Sequence, residues 1–483
     1  MSIKFTLDKS GQKGIVSGDM FDDIRETFSV NNDAAKFMRY RSRFVPSRKY
    51  AITPGGKFDI GLYYEIKKYL VSQSVTGNIF VDDPFREVIT PKYNIKQTPK
   101  LNLELRGYQQ KIVDMCLKIG RGVCVLATAG GKTLTIASLI ESVFQTNKSM
   151  KCLLIVPDLG LVNQTHSDFK EYGVSFLHSK WTGNDSLNLG SNVIVANMGI
   201  LQSSKSDVSW TNHVDMVIVD EVHKLRKTNK INKILRGIQT PNRFGFTGTM
   251  PEDKMDQWNI IGLIGPILFE KNSYQLRQDD YISPVVAQVL KLEYASQPET
   301  GKRGDPTDGY RKEHDFIIES DFRNNIISKL SKNFDNNALI LIDYIRHGEK
   351  LYECIKKECP DKRVYFIQGE VEVSQRETIK KIIEDKNNVV CIAVSKIFST
   401  GINIKNLHYI VFAGGGKAKI KILQSIGRGL RKHESKDKLT IVDIADQLKY
   451  GYQHMVKRMT FYKKEKINYG IKKITETARS KTG

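Results

Sequence analysis

Between an apolar run, Val123–Ala127, and an amphipathic one, Thr133–Phe144, stands the segment Leu126-Ala127-Thr128-Ala129-Gly130-Gly131-Lys132-Thr133. A buried strand, a glycine turn and a helix in direct succession form half of an α/β unit. In such a unit the turn is where backbone N–H groups and a helix N-terminus can face a phosphate. On this reading Thr128, Ala129, Gly130 and Gly131 line the phosphates, Lys132 reaches the β and γ positions, and the Thr133 hydroxyl ligates Mg²⁺. The first glycine of the pattern G-x-x-x-x-G-K-T is absent, with Leu126 in its place. An ordinary strand-to-helix turn would have the same composition.

The surrounding sequence keeps the alternation. Cys152–Val156, Val193–Ala196 and Met216–Val219 read as further buried strands, and a helix runs through Leu161–Tyr172. A polar stretch, Gln297–His314, interrupts the pattern and reads as a loop. A second alternating region follows, with strands at Ala338–Ile342, Arg363–Ile367, Val389–Val394, Tyr409–Phe412 and Leu439–Ile444 and helices at Gln375–Ile383 and Ile420–Leu430. Such repetition predicts two parallel sheets in tandem, each covered by helices on both faces. Residues 1–98 have short apolar runs and turn signals such as Thr53-Pro54-Gly55-Gly56, which suggests a small α+β domain. The expected organisation is therefore an N-terminal domain at 1–98, α/β domains at 99–284 and 285–451, and a basic helical extension at 452–483.

Charge is distributed unevenly. Lys and Arg number 75 against 53 Asp and Glu, a net +22. Residues 1–100 carry +6, residues 101–400 only +3, and residues 401–483 carry +13. An excess concentrated at the two ends fits a polyanion such as nucleic acid held by the terminal regions. A mean hydropathy of −0.36 and the lack of an 18-residue apolar run argue against a membrane span. The opening MSIKFTLDKSGQKG has no signal-peptide apolar region, so a cytoplasmic location is expected. Six scattered cysteines with no C-x-x-C pair fit free thiols better than a zinc site.

Two further motifs carry chemistry. Asp220-Glu221-Val222-His223 lies 88 residues after Lys132, directly past an apolar run. Asp220 would hold Mg²⁺ and Glu221 would orient or activate a water; two solvated acids after a strand are the plain alternative. Gln424-Ser425-Ile426-Gly427-Arg428-Gly429-Leu430-Arg431 puts two arginines three apart on one helix face, where guanidinium forks suit phosphate oxygens. A basic surface helix is the alternative there.

The ordered set of Leu105-Arg106-Gly107-Tyr108-Gln109, ATAGGKT, DEVH, Thr247-Gly248-Thr249, Ser399-Thr400-Gly401-Ile402-Asn403 and QSIGRGLR resembles that of the superfamily 2 helicases over about 350 residues. The resemblance implies two RecA-like domains with ATP in the cleft between them. It implies that Arg106 and Gln109 contact the nucleotide, Gln109 reading the adenine. It also implies that His223, Thr247, Gly248 and Thr249 couple hydrolysis to the nucleic-acid path, and that Thr400 and Gly401 touch both backbone and ATP site. Gln424, Arg428 and Arg431 join the catalytic set, the two arginines as a finger pair. Asn403 stands where many relatives have Asp. FSTGINIKNL (398–407), IGLIGPI (261–267) and the small basic domain before the motor are similar to phage DNA helicases of the UvsW type, which remodel Holliday junctions, forks, D-loops and R-loops. The implied partner is branched or forked DNA, with RNA in hybrids, acted on by a chain that works as a monomer when free. An RNA helicase and a restriction-type duplex translocase subunit are the alternatives.

For the nucleic-acid side, Met38–Phe44 alternates strictly, so a strand there would place Arg39, Arg41 and Arg43 on one face, extended by Arg48. Lys417 and Lys419 follow a triple glycine and would border the nucleic-acid track. Tyr452, Phe461, Tyr462 and Tyr469 are read as packing residues in preference to base-stacking ones.

Overall fold

Alternating strands need one covered face and continuously apolar strands need two, and this chain has both. The computed structural model describes residues 2–32, 35, 45–75, 79–90, 93, 100–127, 129–226, 228–298, 306–367, 383–395, 406–414 and 438–477. The chain divides into two units, residues 1–127 with 131–272, and residues 273–483 with 128–130.

The first unit opens with an α+β layer. Strands β1 (Ile3–Leu7), β2 (Lys13–Gly18), β3 (Ser29–Asn31), β4 (Arg48–Tyr50), β5 (Lys57–Asp59) and β6 (Ile79–Val81) form a four-stranded sheet of order β5-β2-β1-β6 and a separate β3-β4 ladder. In β1, Ile3 and Phe5 are buried and Lys4 is exposed. The inner face packs on Ile24, Ile66, Leu70 and Phe85 from three short helices. This core is not confined to residues 1–98: Ile261 belongs to it, and Met250 and Trp258 pack against it. Gly61 permits the approach, because a Cβ there would stand 2.1 Å from the Ile261 carbonyl oxygen.

An ion pair locks the same seam. Arg236 donates from Nε and Nη2 to the two Asp59 carboxylate oxygens, each at 3.0 Å, and Lys13 Nζ lies 3.3 Å from Oδ1. Burial alone would raise the Asp59 carboxyl, but Arg236 and Lys13 outweigh it and hold it below the usual carboxylate range. A depressed folded-state pKa contributes stability above the usual carboxylate range, and that contribution is lost as pH falls through the depressed value. Asp59→Asn should therefore destabilise the first unit at neutral pH by about 1.5–3 kcal/mol, with the difference from wild type shrinking in acid. Urea unfolding at neutral and acidic pH measures this, and equal midpoints at neutral pH would show the pair to be inert.

Seven strands follow, β7 (Arg121–Leu126), β8 (Cys152–Val156), β9 (His178–Trp181), β10 (Val193–Asn197), β11 (Met216–Asp220), β12 (Arg243–Thr247) and β13 (Ile267–Lys271). They form one all-parallel sheet of order β13-β7-β12-β11-β8-β10-β9. β7, β8, β11 and β12 are buried at every position. Four of these strands coincide within two residues with the apolar runs. β12, with sequence RFGFT, does not advertise itself, because it opens on an arginine. That arginine is buried: Arg243 donates to the Thr240 and Leu235 carbonyls at 2.9 Å and to that of Leu263 at 3.2 Å.

The second unit holds β14 (Val285–Glu293), β15 (Ala338–Ile342), β16 (Arg363–Ile367), β17 (Val389–Val394), β18 (Tyr409–Phe412), β19 (Leu439–Asp446) and β20 (Asn468–Thr475). They make a second all-parallel sheet, β16-β17-β15-β18-β19-β14-β20. Two tandem RecA-like sheets, as expected, thus form the body of the chain. The basic extension expected to be helical over 452–483 is helical only as far as Lys464, in the helix Lys449–Lys464; Asn468–Thr475 is instead the strand β20, which returns to the sheet as an edge strand. Of the aromatics there, Tyr462 is fully buried and donates to Asp443 Oδ2 at 3.0 Å, whereas Tyr452 is 49% exposed.

A second expectation is corrected as well. The polar stretch Gln297–His314 is not a loop throughout, since a helix spans Pro306–Glu319. Proline is at home in a first helical turn. The helix's polar residues have structural work: Glu313 accepts the Tyr450 N–H at 2.9 Å and the Gly451 N–H at 2.6 Å, capping the helix Lys449–Lys464. Of the two helices expected in the second region, residues 375–382 and Ile420–Leu430 lie outside the described residues. All six cysteines are free thiols. Among the described residues no helix is long and apolar enough to cross a membrane.

Candidate active site

A parallel sheet lines up the carboxyl ends of its strands along one edge, so loops far apart in sequence meet there. β7, β12 and β11 are consecutive neighbours. They lead respectively into Gly131–Thr133, Gly248–Thr249 and Glu221–His223. The acidic motif therefore reaches Lys132 across β12, not from the adjoining strand.

Gly131 caps the helix Lys132–Thr146 with φ 76°. The backbone conformation favours glycine, and a Cβ there would stand 2.2 Å from Gln109 Nε2, so any side chain would also displace the Gln109 carboxamide. Gln109 is buried, and its carboxamide bridges two elements: Nε2 donates to the Gly131 carbonyl at 3.2 Å, and Oε1 accepts the Arg106 N–H at 2.8 Å. Arg106 Nη1 donates to the Tyr108 hydroxyl at 3.0 Å. Ala129 (φ 65°) and Glu221 (φ 51°) occupy the left-handed region without being glycine. Such conformations cost of order 1–3 kcal/mol and concentrate at functional sites.

The charged groups form one connected chain. Lys132 Nζ lies 3.1 Å from Glu221 Oε1, with side chains 12% and 24% exposed. Glu221 Oε2 lies 3.2 Å from His223 Nδ1, which is also 2.8 Å from Thr247 Oγ1. The Thr247 hydroxyl donates to the Thr249 carbonyl at 2.9 Å. Its oxygen is thereby left to accept from the imidazole N–H, which sets the tautomer. Burial would raise the Glu221 carboxyl, but the Lys132 charge and the His223 hydrogen bond outweigh it and hold it well below the usual carboxylate range. Asp220, buried at the end of β11, accepts the Glu221 N–H on Oδ1 at 2.9 Å. Thr133 is half-buried in the first turn after Lys132, and Gly248 is half-buried after β12.

The structure thus brings Arg106, Gln109, Gly131, Lys132, Thr133, Asp220, Glu221, His223, Thr247, Gly248 and Thr249 to one edge of one sheet. Arg48 lies in β4, ion-paired with Glu26. Thr128, Arg39, Arg41, Arg43, Thr400, Gly401, Asn403, Lys417, Lys419, Gln424, Arg428 and Arg431 lie outside the described residues. A group not singled out from the sequence adjoins the site: Tyr108 stacks on Phe269 (ring centroids 6.5 Å apart), with Lys271 Nζ 5.1 Å from its ring. Adjacency to Gln109 was the only available signal for Tyr108.

Comparison with known families agrees with this geometry. Residues 102–252 match the family described as Type III restriction enzyme, res subunit, and residues 322–433 match the Helicase conserved C-terminal domain. The first span contains the loop, DEVH and Thr247–Thr249; the second contains Thr400–Asn403 and the two arginines. The chain belongs to the superfamily 2 helicases, enzymes driven by ATP. Within that class it is similar to the ATP-dependent DNA helicase uvsW of Enterobacteria phage T4, being 28% identical over 489 residues that cover 94% of this chain and 95% of that protein. In fold it is similar to the ATP-dependent Type ISP restriction-modification enzyme LlaBIII bound to DNA, with TM-score 0.56, 14% identity, and coverage of 86% of this chain and 36% of that one. It is likewise similar to the DUF1998 helicase MrfA bound to DNA, with TM-score 0.56, 15% identity, and coverage of 80% and 54%.

Proposed function

We propose that this chain is an ATP-driven DNA motor that remodels branched duplexes, such as Holliday junctions, stalled forks, D-loops and R-loops. One observation carries DNA as the substrate: the match to a phage DNA helicase runs along nearly the whole of both proteins, residues before the motor included.

The residues suggest the following mechanism. The loop ending in Gly131 and the N-terminus of the helix after it receive the phosphates. Phosphate oxygens compete with Glu221 for the Lys132 ammonium, held 3.1 Å away. As Lys132 turns to phosphate, the burial of Glu221 is less offset and its carboxylate becomes a better base. It then orients and polarises the attacking water. His223 feels the same change and passes it to Thr247 and Thr249 at the end of β12. Thr133 and Asp220 offer the hard oxygen donors that fit Mg²⁺, which would neutralise charge on the β and γ phosphates when bound with ATP. Arg428 and Arg431 are assigned to charge developing on the γ phosphate, Gln424 to the same catalytic group, and Gly401 and Asn403 to nucleotide contact. Arg39, Arg41, Arg43, Arg48, Thr400, Lys417 and Lys419 are assigned to the nucleic-acid backbone. Residues 1–98 are assigned to duplex arms.

The test is ATP-dependent processing of a mobile Holliday junction beside a simple tailed duplex. Because residues 1–98 share a core with Ile261 and Trp258, Arg39, Arg41 and Arg43 should be changed to Ala together; deleting the domain would expose that core. The junction should be processed faster, and the triple variant should lose that preference. Equal rates on both substrates would remove the branched-DNA reading, and turnover stimulated by RNA alone would favour an RNA helicase. Affinity for duplex should fall with salt at a log–log slope of about −0.9 per phosphate neutralised. A flat response would contradict a backbone-dominated footprint.

A further inference from the structure

The second sheet ends at β20, and none of that strand's eight residues is buried. The helix Lys449–Lys464 lies over the same end of the sheet, tied down by Arg458 and Tyr462, which both donate to Asp443 Oδ2. Its other side is open: Tyr452 is 49% exposed, Val456 43%, and Ile471 of β20 51%. Tyr452, Val456 and Met459 recur at helical spacing on that side. With Ile471 they floor an open groove of about 290 Å³, rimmed by Lys291 and Lys463.

We propose that this groove, with the outer edge of β20, docks an extended acidic segment of another protein that has apolar side chains at alternate positions. An edge strand offers a row of backbone donors and acceptors to an added strand. Every second side chain of that added strand falls on one face, here the face that carries the helix and its apolar floor. Met459 in the floor, half-buried, adapts to varied apolar partners. The charge of the site is mainly basic. The helix carries Lys457 and Lys463 and no acidic residue, β20 carries Lys472 and Lys473, and Lys291 stands on the rim. Glu293 offsets part of this charge, pairing with Lys473 at 2.8 Å and lying near Lys291.

Charge and shape together select the occupant. A nucleic-acid backbone would satisfy the lysines but leave the exposed apolar surface of Tyr452, Val456 and Ile471 without apolar partners. A second copy of this chain, added edge to edge, would bring the lysines of two β20 strands together, and like charges across a ladder repel. An acidic segment with apolar anchors satisfies both features.

The test uses the full chain and fluorescein-labelled peptides as long as β20, 8 residues. One peptide alternates Asp and Leu, one Lys and Leu, and one Asp and Ser. Anisotropy should show saturable binding of the Asp/Leu peptide, with both controls weaker. Val456→Asp combined with Ile471→Asp should weaken that binding roughly tenfold or more while leaving ATP turnover on DNA unchanged. If the aspartate pair also lowers turnover, the milder Val456→Ser with Ile471→Ser must show the same selective loss. Absence of saturable binding, equal binding of the Asp/Ser or Lys/Leu peptide, or undiminished binding by both variants would overturn the proposal. So would displacement of the peptide by single-stranded DNA together with loss of DNA affinity in the variants, which would assign the groove to nucleic acid.

Discussion

Lys132→Ala is expected to lower kcat for ATP hydrolysis by at least about 10²–10³-fold, the scale set by loss of one preorganised charge-stabilising group. DNA affinity in the same protein should stay close to wild type, because the residues proposed to hold DNA lie elsewhere. The structure adds a second consequence. Lys132 is the partner of Glu221 Oε1 at 3.1 Å, and its charge helps offset a burial that otherwise raises that carboxyl. In wild type the depressed Glu221 contributes stability above the usual carboxylate range, and this is lost as pH falls through its depressed value. In the variant the Glu221 carboxyl rises and that contribution diminishes, so the gap in stability between the two proteins should be widest near neutrality and close in acid. Steady-state turnover, anisotropy with a labelled duplex, and urea midpoints against pH measure the three parts. Substantial turnover in the variant would remove the loop from the mechanism.

Arg323→Ala is expected to destabilise the second unit by about 3–5 kcal/mol, because it strands a buried carboxylate. Arg323 is 0% exposed and Asp446 3%, with Nε donating to Oδ1 at 2.8 Å. Burial disfavours the Arg323 charge, yet Asp446 and Tyr294 more than compensate and its pKa is raised. Tyr294 also donates to Asp446 Oδ1, at 2.6 Å, but a neutral hydroxyl cannot replace a guanidinium. For a unit of this size the loss corresponds to a fall in Tm of roughly 6–20 °C. Replacing both members, Arg323→Leu with Asp446→Leu, should recover much of it, since removing an ion pair costs less than breaking one. A calorimetric scan that leaves the Arg323→Ala transition unmoved would show that Asp446 is stabilised by other groups.

The two predictions draw on different information. Lys132 could be chosen from sequence, since a lysine between glycine and threonine at a strand-to-helix turn has few other uses. Arg323 could not. It sits in the helix Asp321–Asn333 among Asn, Ser and Lys, and nothing local distinguishes a buried arginine from an exposed one. Arg243 in β12 hid the strand that places Thr247 for the same reason. The stretch Gln297–His314 misled in the opposite direction: its polarity suggested a loop, whereas Glu313 serves as a distant helix cap. IGLIGPI was legible only as a resemblance. In the structure it supplies Ile261, whose carbonyl meets Gly61 and whose side chain joins the N-terminal core.

Strand periodicity, the glycine turn and the order of the motifs depend on neighbouring residues, so the chain alone dictated tandem parallel sheets, the glycine turn before the helix at Lys132 and the membership in its superfamily. Which side chains meet depends on strand order, and strand order is a long-range property. Folding alone put β12 between β7 and β11, linked Glu221 through His223 to Thr247, paired Asp59 with Arg236, and left β20, among the described residues, at the edge of the second sheet. No local pattern encodes those pairings, because each is settled by which buried surfaces and charges find complementary partners far along the chain.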